Sequence, residues 1–465
     1  MVFSSLIFLW LFLPMVIILY FVARDCIKNV LLLLASLIFY AWGEPIYVCV
    51  MLFSILVNYG MALSIERSEK NVKKFFLILD IVFNLVLLGY FKYFTFLTDI
   101  WNGLTGKKAD ALNIVLPIGI SFFTFQILSY IIDLYRGKYQ AQKSIMNLAL
   151  YISFFPQLIA GPIVKYIDIN QQLIQRQCTL EKTGEGIRRF IYGLGKKVII
   201  ANIIAYCVDE IFGLDYINLT GVLAWLGAIL YSLQIYYDFS GYSDMAIGLG
   251  KIFGFEFCEN FHYPYMSSSI QEFWKRWHIS LGTWFKEYVY IPLGGNRNGG
   301  VRTCVNLMIV FGLTGLWHGA NFNFIFWGLY HGFFSILERI GLRKVLKKHK
   351  VVAHIYTMLI VIIGWVMFRV DSMAQFWEWI KRMINPMKYT ESTFILEKVF
   401  GNKEKFVFLA GIIGIGVLQT MLEKIGIFEK WKHSSGEIIF CVWVLVLCII
   451  ILAADTYNPF IYFRF

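Results

Sequence analysis

The sequence predicts an all-α polytopic membrane protein. Hydrophobic residues make up 58% of its 465 positions and charged residues only 15%, against roughly 25% charged in a typical soluble domain. Long uncharged runs recur along the chain and are separated by short basic segments. This pattern excludes an ordinary soluble enzyme. The net charge of +12 is divided among short loops, which indicates contact with a lipid bilayer rather than with nucleic acid.

Five membrane spans are predicted in the N-terminal part, near residues 3–23, 29–42, 46–65, 75–97 and 112–134. The first is uncharged and about as long as the roughly 20 apolar residues that cross a bilayer. No basic residue precedes Arg24, so we expect no cleavable signal peptide. The first, third and fifth loops hold nine Lys and Arg residues, the second and fourth only two. The positive-inside rule therefore places the N-terminus outside.

The next apolar run, residues 144–164, contains Pro156 and the pair Gly161-Pro162, which interrupt a helix. Basic residues flank the run on both sides. We expect a re-entrant element here, since irregular backbone at membrane depth is tolerated only inside protein or beside a wet cavity.

The remaining spans are predicted near residues 198–213, 220–237, 303–317, 321–338, 352–370, 406–423 and 437–454. The total is 11 to 13 transmembrane helices in one membrane domain covering residues 1–465. We divide this domain into N-terminal helices (1–143), a re-entrant and cytoplasmic segment (144–189), a core with the candidate catalytic residues (190–338) and C-terminal helices (339–465).

His278 is one candidate catalytic residue. Residues 270–285 fit a continuous amphipathic helix, with Trp274 and Trp277 on the apolar face and Arg276 on the polar face. His278 lies at the edge of the apolar face, as a site on an interfacial helix would require. A histidine held only by hydrogen bonds at an interface is the alternative.

His318 is the second candidate, because nothing between Thr303 and Leu337 is charged. It lies near the predicted turn of an apolar hairpin, between Trp317 and Asn321. A neutral imidazole can remove a hydroxyl or thiol proton without being charged at rest. Gly315 and Gly319 are four residues apart, a spacing that permits close helix packing. His331 is about 140° from His318 on a continuous helix, so we do not expect the two to share a site.

Asp238 and Asp244 form a third candidate cluster at the predicted end of a span. Their carboxylates could pair with Arg276 or orient an imidazole, and the alternative is a helix cap followed by a turn. The sequence has no Walker A loop, G-x-S-x-G elbow, H-E-x-x-H or G-x-G-x-x-G motif. The eight Cys are scattered without a C-x-x-C pair, so we expect no metal site.

Four ordered motifs resemble the membrane-bound O-acyltransferase (MBOAT) superfamily, and within it the bacterial alginate O-acetylation (AlgI-like) branch more than the teichoic-acid D-alanylation branch. They are the DFSGYSDMA run at 238–246, the FWKRWHISL run at 273–281, the YIPLGGNR run at 290–297 and the GLWHG run at 315–319. The resemblance implies the MBOAT fold, with re-entrant and interfacial helices around a central funnel. It also implies that His278 and His318 are the catalytic pair, with Asp238, Asp244, Trp274, Arg276, Trp317 and Asn321 in support.

The resemblance further implies a multi-pass enzyme of the bacterial plasma membrane without a tightly bound cofactor. Such enzymes take an acyl group from a cytosolic thioester, acetyl-CoA or an acyl carrier protein, and pass it outward to a polysaccharide acceptor. An extracytoplasmic acyltransferase subunit of the SGNH or DltD-like type is the expected partner. The alternatives are a polysaccharide or lipid-linked substrate transporter, D-alanyl transfer to teichoic acid, or a non-catalytic membrane scaffold.

Overall fold

The computed structural model describes residues 1–106, 114–426, 430–432, 434–454 and 457–461. Within these ranges the regular structure is entirely helical, so the all-α prediction is confirmed. Residues 112 and 113 of one predicted span lie outside the described ranges. The first ten α-helices are α1 (Leu13–Val22), α2 (Asp25–Gly43), α3 (Tyr47–Arg67), α4 (Lys70–Leu88), α5 (Phe94–Thr105), α6 (Ile120–Tyr135), α7 (Ile145–Ser153), α8 (Phe155–Leu158), α9 (Tyr166–Ile174) and α10 (Leu180–Gly195).

Twelve further α-helices follow in the described part of the chain. They are α11 (Asn202–Phe212), α12 (Gly221–Ile252), α13 (Ile270–Arg276), α14 (Ile279–Phe285), α15 (Gly300–His318), α16 (Phe322–Leu337), α17 (Arg343–Leu346), α18 (Lys350–Arg369), α19 (Met373–Ile384), α20 (Asn402–Ile413), α21 (Val417–Lys424) and α22 (Ser435–Ala454).

Short π-helical and 3₁₀ segments interrupt this series. The π-helical segments are Phe8–Phe12, Gly89–Tyr93, Lys196–Ala201, Lys286–Tyr290 and Glu338–Leu342, and the 3₁₀ turns are Pro264–Met266 and Leu396–Lys398. Because the π segments follow α-helices without a break, α4 runs into α5, and α10 runs into α11.

Eight helices among the described residues are long and apolar enough to cross a membrane, or nine if α20 and α21, bent by 45°, form one span. The polytopic prediction is therefore confirmed, but the count is lower than the 11 to 13 expected. The reason is helix length, since apolar helices such as Phe8–Val22 and Ile120–Tyr135 have fewer than 18 residues.

The chain divides into two compact units. The first comprises Met1–Phe190 and Met245–Cys258, and the second comprises Ile191–Asp244 and Glu259–Phe465. In the first unit, the predicted interruption near Pro156 is confirmed: α7 ends at Ser153, α8 has only four residues, and extended backbone follows Gly161. Every residue from 148 to 164 is buried, as irregular backbone at membrane depth requires. Both candidate histidines belong to the second unit.

Candidate active site

The predicted apolar hairpin is α15 and α16, and two glycines set its close packing. A Cβ atom on Gly315 would lie 2.1 Å from the carbonyl oxygen of Phe324, and a Cβ on Gly328 would lie 2.1 Å from that of Phe311. Neither position can hold a larger residue unless the helices separate. A Cβ on Gly319 would likewise lie 2.3 Å from the Phe324 ring, so Gly315 and Gly319 both permit close helix packing, as their spacing predicted, and Gly328 meets Gly315 from the opposite helix.

His318 is the last residue of α15, directly before the turn. Its buried ring lies among three aromatic rings, with centroid distances of 4.9 Å to Trp317, 5.2 Å to Trp327 and 5.2 Å to Phe368. All three make edge contacts. Aromatic rings in this arrangement hold the imidazole in one orientation, which a general base needs.

The amphipathic helix predicted over 270–285 is broken, and this expectation was wrong. The structure has two seven-residue helices, α13 and α14, separated by Trp277 and His278. His278 has φ 47° and ψ 54°, in the left-handed region. Only one other non-glycine residue in the described chain, Tyr263, has positive φ. Such backbone is uncommon outside glycine and occurs preferentially at functional sites.

Hydrogen bonds from a neighbouring extended segment hold this break. The Asn260 carbonyl oxygen accepts from the N–H of Ile279 at 2.9 Å. The Asn260 side-chain oxygen accepts from the Ser280 N–H at 3.1 Å and from the Ser280 hydroxyl at 2.9 Å. On the other side of the break, the N–H of His262 donates to the Arg276 carbonyl at 2.9 Å. The chain must therefore leave the helical path at His278.

The His278 ring is buried, with 8% of its surface exposed. Its Nδ1 atom has no hydrogen-bond partner among the described residues. Burial lowers the pKa of His278 from 6.5 to about 3, because a charged imidazolium is poorly solvated there. The ring is therefore neutral at physiological pH and can accept or donate a hydrogen bond.

A cavity of about 380 Å³ joins the two candidate histidines, since His278 and His318 both line it. Trp274 also lines this cavity, and its buried indole nitrogen has no hydrogen-bond partner in the described chain. The Trp317 ring lies between the histidines, 6.1 Å from His278 and 4.9 Å from His318. The structure thus brings together four of the eight residues proposed from the sequence. We call this space the histidine cavity.

Two exposed lysines, Lys275 and Lys286, also line the histidine cavity. The cavity therefore combines apolar and aromatic walls with two cations, a composition suited to an anionic ligand with an apolar part.

A second cavity, of about 260 Å³, lies at the tip of the α15–α16 hairpin. Gly319, Asn321 and Phe368 line it. Asn321 is also the N-cap of α16, because its side chain accepts a hydrogen bond from the Asn323 N–H at 3.0 Å. His318 faces the first cavity while the residues after it face the second, so the histidine lies between two spaces.

The remaining proposed residues lie elsewhere. Asp238 and Asp244 are within α12 and not at its end, so the expected cap and turn are wrong. Asp238 pairs with Lys197 at 2.6 Å, and Asp244 pairs with Lys196 at 2.6 Å. Arg276 pairs with Glu272 at 2.8 Å. The paired lysines offset the cost of placing these carboxylates, which have little exposed surface, within a long helix.

His331 lies closer to the site than the helical spacing suggested. Its ring centroid is 5.2 Å from that of Trp327 and 5.0 Å from that of Trp274, and Trp327 also contacts His318. The 140° estimate assumed one continuous helix, whereas the chain reverses after His318. Trp327 was not predicted, although it precedes His331 by four residues and therefore shares its helix face.

Two buried histidines on one cavity of a helical membrane protein form an arrangement that suits acid–base chemistry. The model of MBOAT, the membrane-bound O-acyltransferase family, matches residues 136–374, and the chain belongs to this family. It is therefore a multi-pass membrane O-acyltransferase.

Several curated relatives are similar over most of the chain. The probable alginate O-acetylase AlgI of Pseudomonas putida is 40% identical over 100% of both chains. The probable alginate O-acetylase AlgI of Pseudomonas aeruginosa is 44% identical over 83% of this chain and 75% of its own. The peptidoglycan O-acetyltransferase of Helicobacter pylori is 37% identical over 83% of this chain and 80% of its own. The resemblance to the alginate O-acetylation branch is confirmed.

Proposed function

We propose that this protein transfers an acetyl group from a cytosolic thioester to a hydroxyl group destined for an extracytoplasmic polysaccharide. The observation that carries the proposal is the histidine cavity, which both His278 and His318 line. The names of the relatives at 37% to 44% identity, all O-acetylases or O-acetyltransferases, support acetyl as the transferred group.

His318 acts as the general base. It removes the proton of the acceptor hydroxyl, whose oxygen attacks the thioester carbonyl carbon. The new C–O bond forms, the C–S bond breaks, and the imidazolium returns the proton to the thiolate that leaves. Its aromatic surroundings support this role, because a fixed and partly desolvated imidazole transfers protons efficiently.

His278 and Trp274 act on the donor. His278 is neutral and has a free Nδ1 atom, so it orients or polarises the thioester. Trp274 lines the cavity, and its buried indole N–H has no hydrogen-bond partner among the described residues; we assign it as the donor of a hydrogen bond to the oxyanion of the tetrahedral intermediate. Preorganised donors of this kind usually contribute about 10²- to 10³-fold to the rate.

The two cavities support a direction for the transfer. Lys275 and Lys286 at the histidine cavity suit the phosphates of acetyl-CoA or of a carrier-bound phosphopantetheine. The second cavity, lined by Asn321, receives the acceptor hydroxyl. We place the donor side in the cytoplasm and the N-terminus outside, in the bacterial plasma membrane. An extracytoplasmic acyltransferase subunit completes delivery to the polymer.

The test uses the full chain in vesicles with radiolabelled acetyl-CoA and a cell-envelope extract as acceptor. We expect His318→Ala to abolish label transfer while membrane insertion and thermal stability stay normal. His349→Ala, which changes an exposed histidine, is the matched control and keeps full activity. Near-normal transfer by the His318 variant would refute the role of His318 as the base. If the wild type transfers no label to a hydroxyl acceptor, the proposed reaction is refuted.

A further inference from the structure

Another cavity lies apart from the histidine cavity and shares no lining residue with it. It measures about 620 Å³ and lies between the segment that enters α13 and the junction of α17 with α18. Arg343, Lys347 and Lys350 line it on one side and Glu272 on the other. Leu346 and Val351 contribute an apolar part. We call this cavity the basic groove.

The basic groove carries more positive than negative charge, with three cations against Glu272 in the lining and Glu338 near Arg343. No ion pair joins Arg343, Lys347 or Lys350 to a carboxylate among the described residues. The one carboxylate in the lining, that of Glu272, already accepts from Arg276 at 2.8 Å and from the Ser268 hydroxyl at 3.0 Å. Three cations that form no ion pair in the described structure and surround one space favour a phosphate group.

The surroundings of the basic groove fit a membrane interface. It lies at the first residues of α18, a 20-residue candidate membrane span. Apolar side chains alternate with the cations and are exposed, with Ile340 at 70% and Val345 at 60% of their surface. Six Lys or Arg residues occur between positions 339 and 350. Basic clusters directly beside a span attract anionic lipid headgroups, and exposed apolar residues among them enter the lipid.

Residues in and beside the basic groove also hold the start of α13. The buried Glu338 carboxylate accepts from the N–H groups of Ile270 at 2.6 Å and Gln271 at 3.1 Å. His354 Nδ1 lies 3.0 Å from the carbonyl oxygen of Ser267. The other face of α13 carries Trp274, which lines the histidine cavity. An occupant of the groove therefore contacts the segments that position one wall of the active site.

We propose that the basic groove binds the phosphate headgroup of an anionic phospholipid, which steadies α13 and supports acyl transfer. The binding stands on the groove alone, whereas its effect on activity rests on the proposed function. The headgroup phosphate pairs with Arg343, Lys347 and Lys350, and the acyl chains follow the exposed apolar residues beside α18.

The experiment measures lipid retention without donor or acceptor, so its result is independent of the transferase reaction. The full chain is exchanged into vesicles or nanodiscs of phosphatidylcholine with or without phosphatidylglycerol, and bound phosphatidylglycerol is counted by native mass spectrometry. The test variant is Arg343→Gln/Lys347→Gln/Lys350→Gln. The matched control is Arg339→Gln/Lys344→Gln/Lys348→Gln, which removes three exposed cations of the same run that do not line the groove.

We expect the test variant to retain phosphatidylglycerol roughly 100-fold more weakly, while the control retains it nearly as the wild type does. Equal losses in both variants would overturn the site in favour of general surface charge. Unchanged retention in the test variant would also overturn it. Displacement of the lipid by coenzyme A or inorganic phosphate at low concentration would overturn the lipid assignment and point to a soluble phosphate. The melting temperatures of both triple variants show whether a loss of lipid comes from misfolding instead of from the removed charges.

Discussion

Gly315 and Gly328 meet where α15 crosses α16, and a Cβ atom on Gly328 would lie 3.2 Å from the Gly315 Cα. This contact sets the separation of the hairpin whose first helix ends at His318. The position of the proposed base thus depends on two residues without side chains.

Replacement of Gly315 or Gly328 by Ala should separate the hairpin and displace His318. The added methyl group would meet a backbone carbonyl at 2.1 Å, so we expect a destabilisation of about 1–3 kcal/mol and a large loss of acyl transfer. Gly312→Ala is the control, since its Cβ would meet only the flexible end of Leu329 at 3.4 Å. Thermal melting and label transfer measure both effects, and full activity of both crossing variants would contradict this account.

His278→Asn should separate the chemistry of the imidazole from the shape of the backbone. Asparagine tolerates the left-handed region better than other non-glycine residues, so we expect normal stability with strongly reduced transfer. His278→Ala should lose stability as well, by roughly 1 kcal/mol. Melting curves and transfer rates distinguish the two variants. If His278→Asn is as active as the wild type, the ring has no role in the reaction.

Trp274→Phe should slow the reaction while keeping an aromatic ring in the wall of the histidine cavity. The substitution keeps an aromatic ring and removes the N–H, so we expect kcat to fall about 10²- to 10³-fold with little change in KM for acetyl-CoA. Trp365→Phe is the control, because its N–H bonds the Tyr265 hydroxyl at 3.0 Å and does not line the histidine cavity. If only the KM for acetyl-CoA rises and kcat is unchanged, Trp274 binds the donor instead.

Lys275→Gln/Lys286→Gln should weaken donor binding. Both lysines line the histidine cavity, and we expect KM for acetyl-CoA to rise roughly tenfold at low salt, with a smaller difference at high salt because salt screens charges. The exposed residue Lys398 provides the control Lys398→Gln. A KM that does not change in the double variant would show that the donor's phosphates bind elsewhere.

Asp238→Asn should lower the stability of the fold and should not act directly on the acyl-transfer reaction. It leaves Lys197 buried without its counter-charge, which typically costs about 3–5 kcal/mol. Asp238 also accepts from the N–H of Ile461 at 2.9 Å, a bond that Asn can keep. The double variant Lys197→Met/Asp238→Leu should recover much of the stability, as thermal melting would show. Equal stability of Asp238→Asn and wild type would mean that the pair is not needed.

The hairpin was predictable because its signals are local. Nothing between residues 303 and 337 is charged, and the sequence Gly319-Ala320-Asn321 ends one helix and begins the next. The close packing of α15 on α16 also followed from glycine spacing, although the partner of Gly315 lies on the opposite helix. Hydropathy and helix-breaking residues thus gave the right architecture for His318.

The break at His278 was not predictable from local sequence. Residues 276–279 contain neither Gly nor Pro, and the helical pattern continues across them. Hydrogen bonds with Asn260 and His262, which lie 18 and 16 positions before His278, impose the change of direction. Asp238 was misplaced for a similar reason, because its partner Lys197 lies 41 positions before it and only the folded chain brings the charges together.

The π-helical segment Lys286–Tyr290 has a consequence for how this site can change during evolution. A π turn closes its hydrogen bond over one more residue than an α turn, so it absorbs a single inserted residue without shifting the register of the chain beyond it. Lys286 is its first residue and lines the histidine cavity. Insertion or deletion of one residue here would rotate the cation at the cavity mouth while leaving His278 in place. If Lys286 binds the donor as proposed, a one-residue length change at this turn would change how the protein binds its donor.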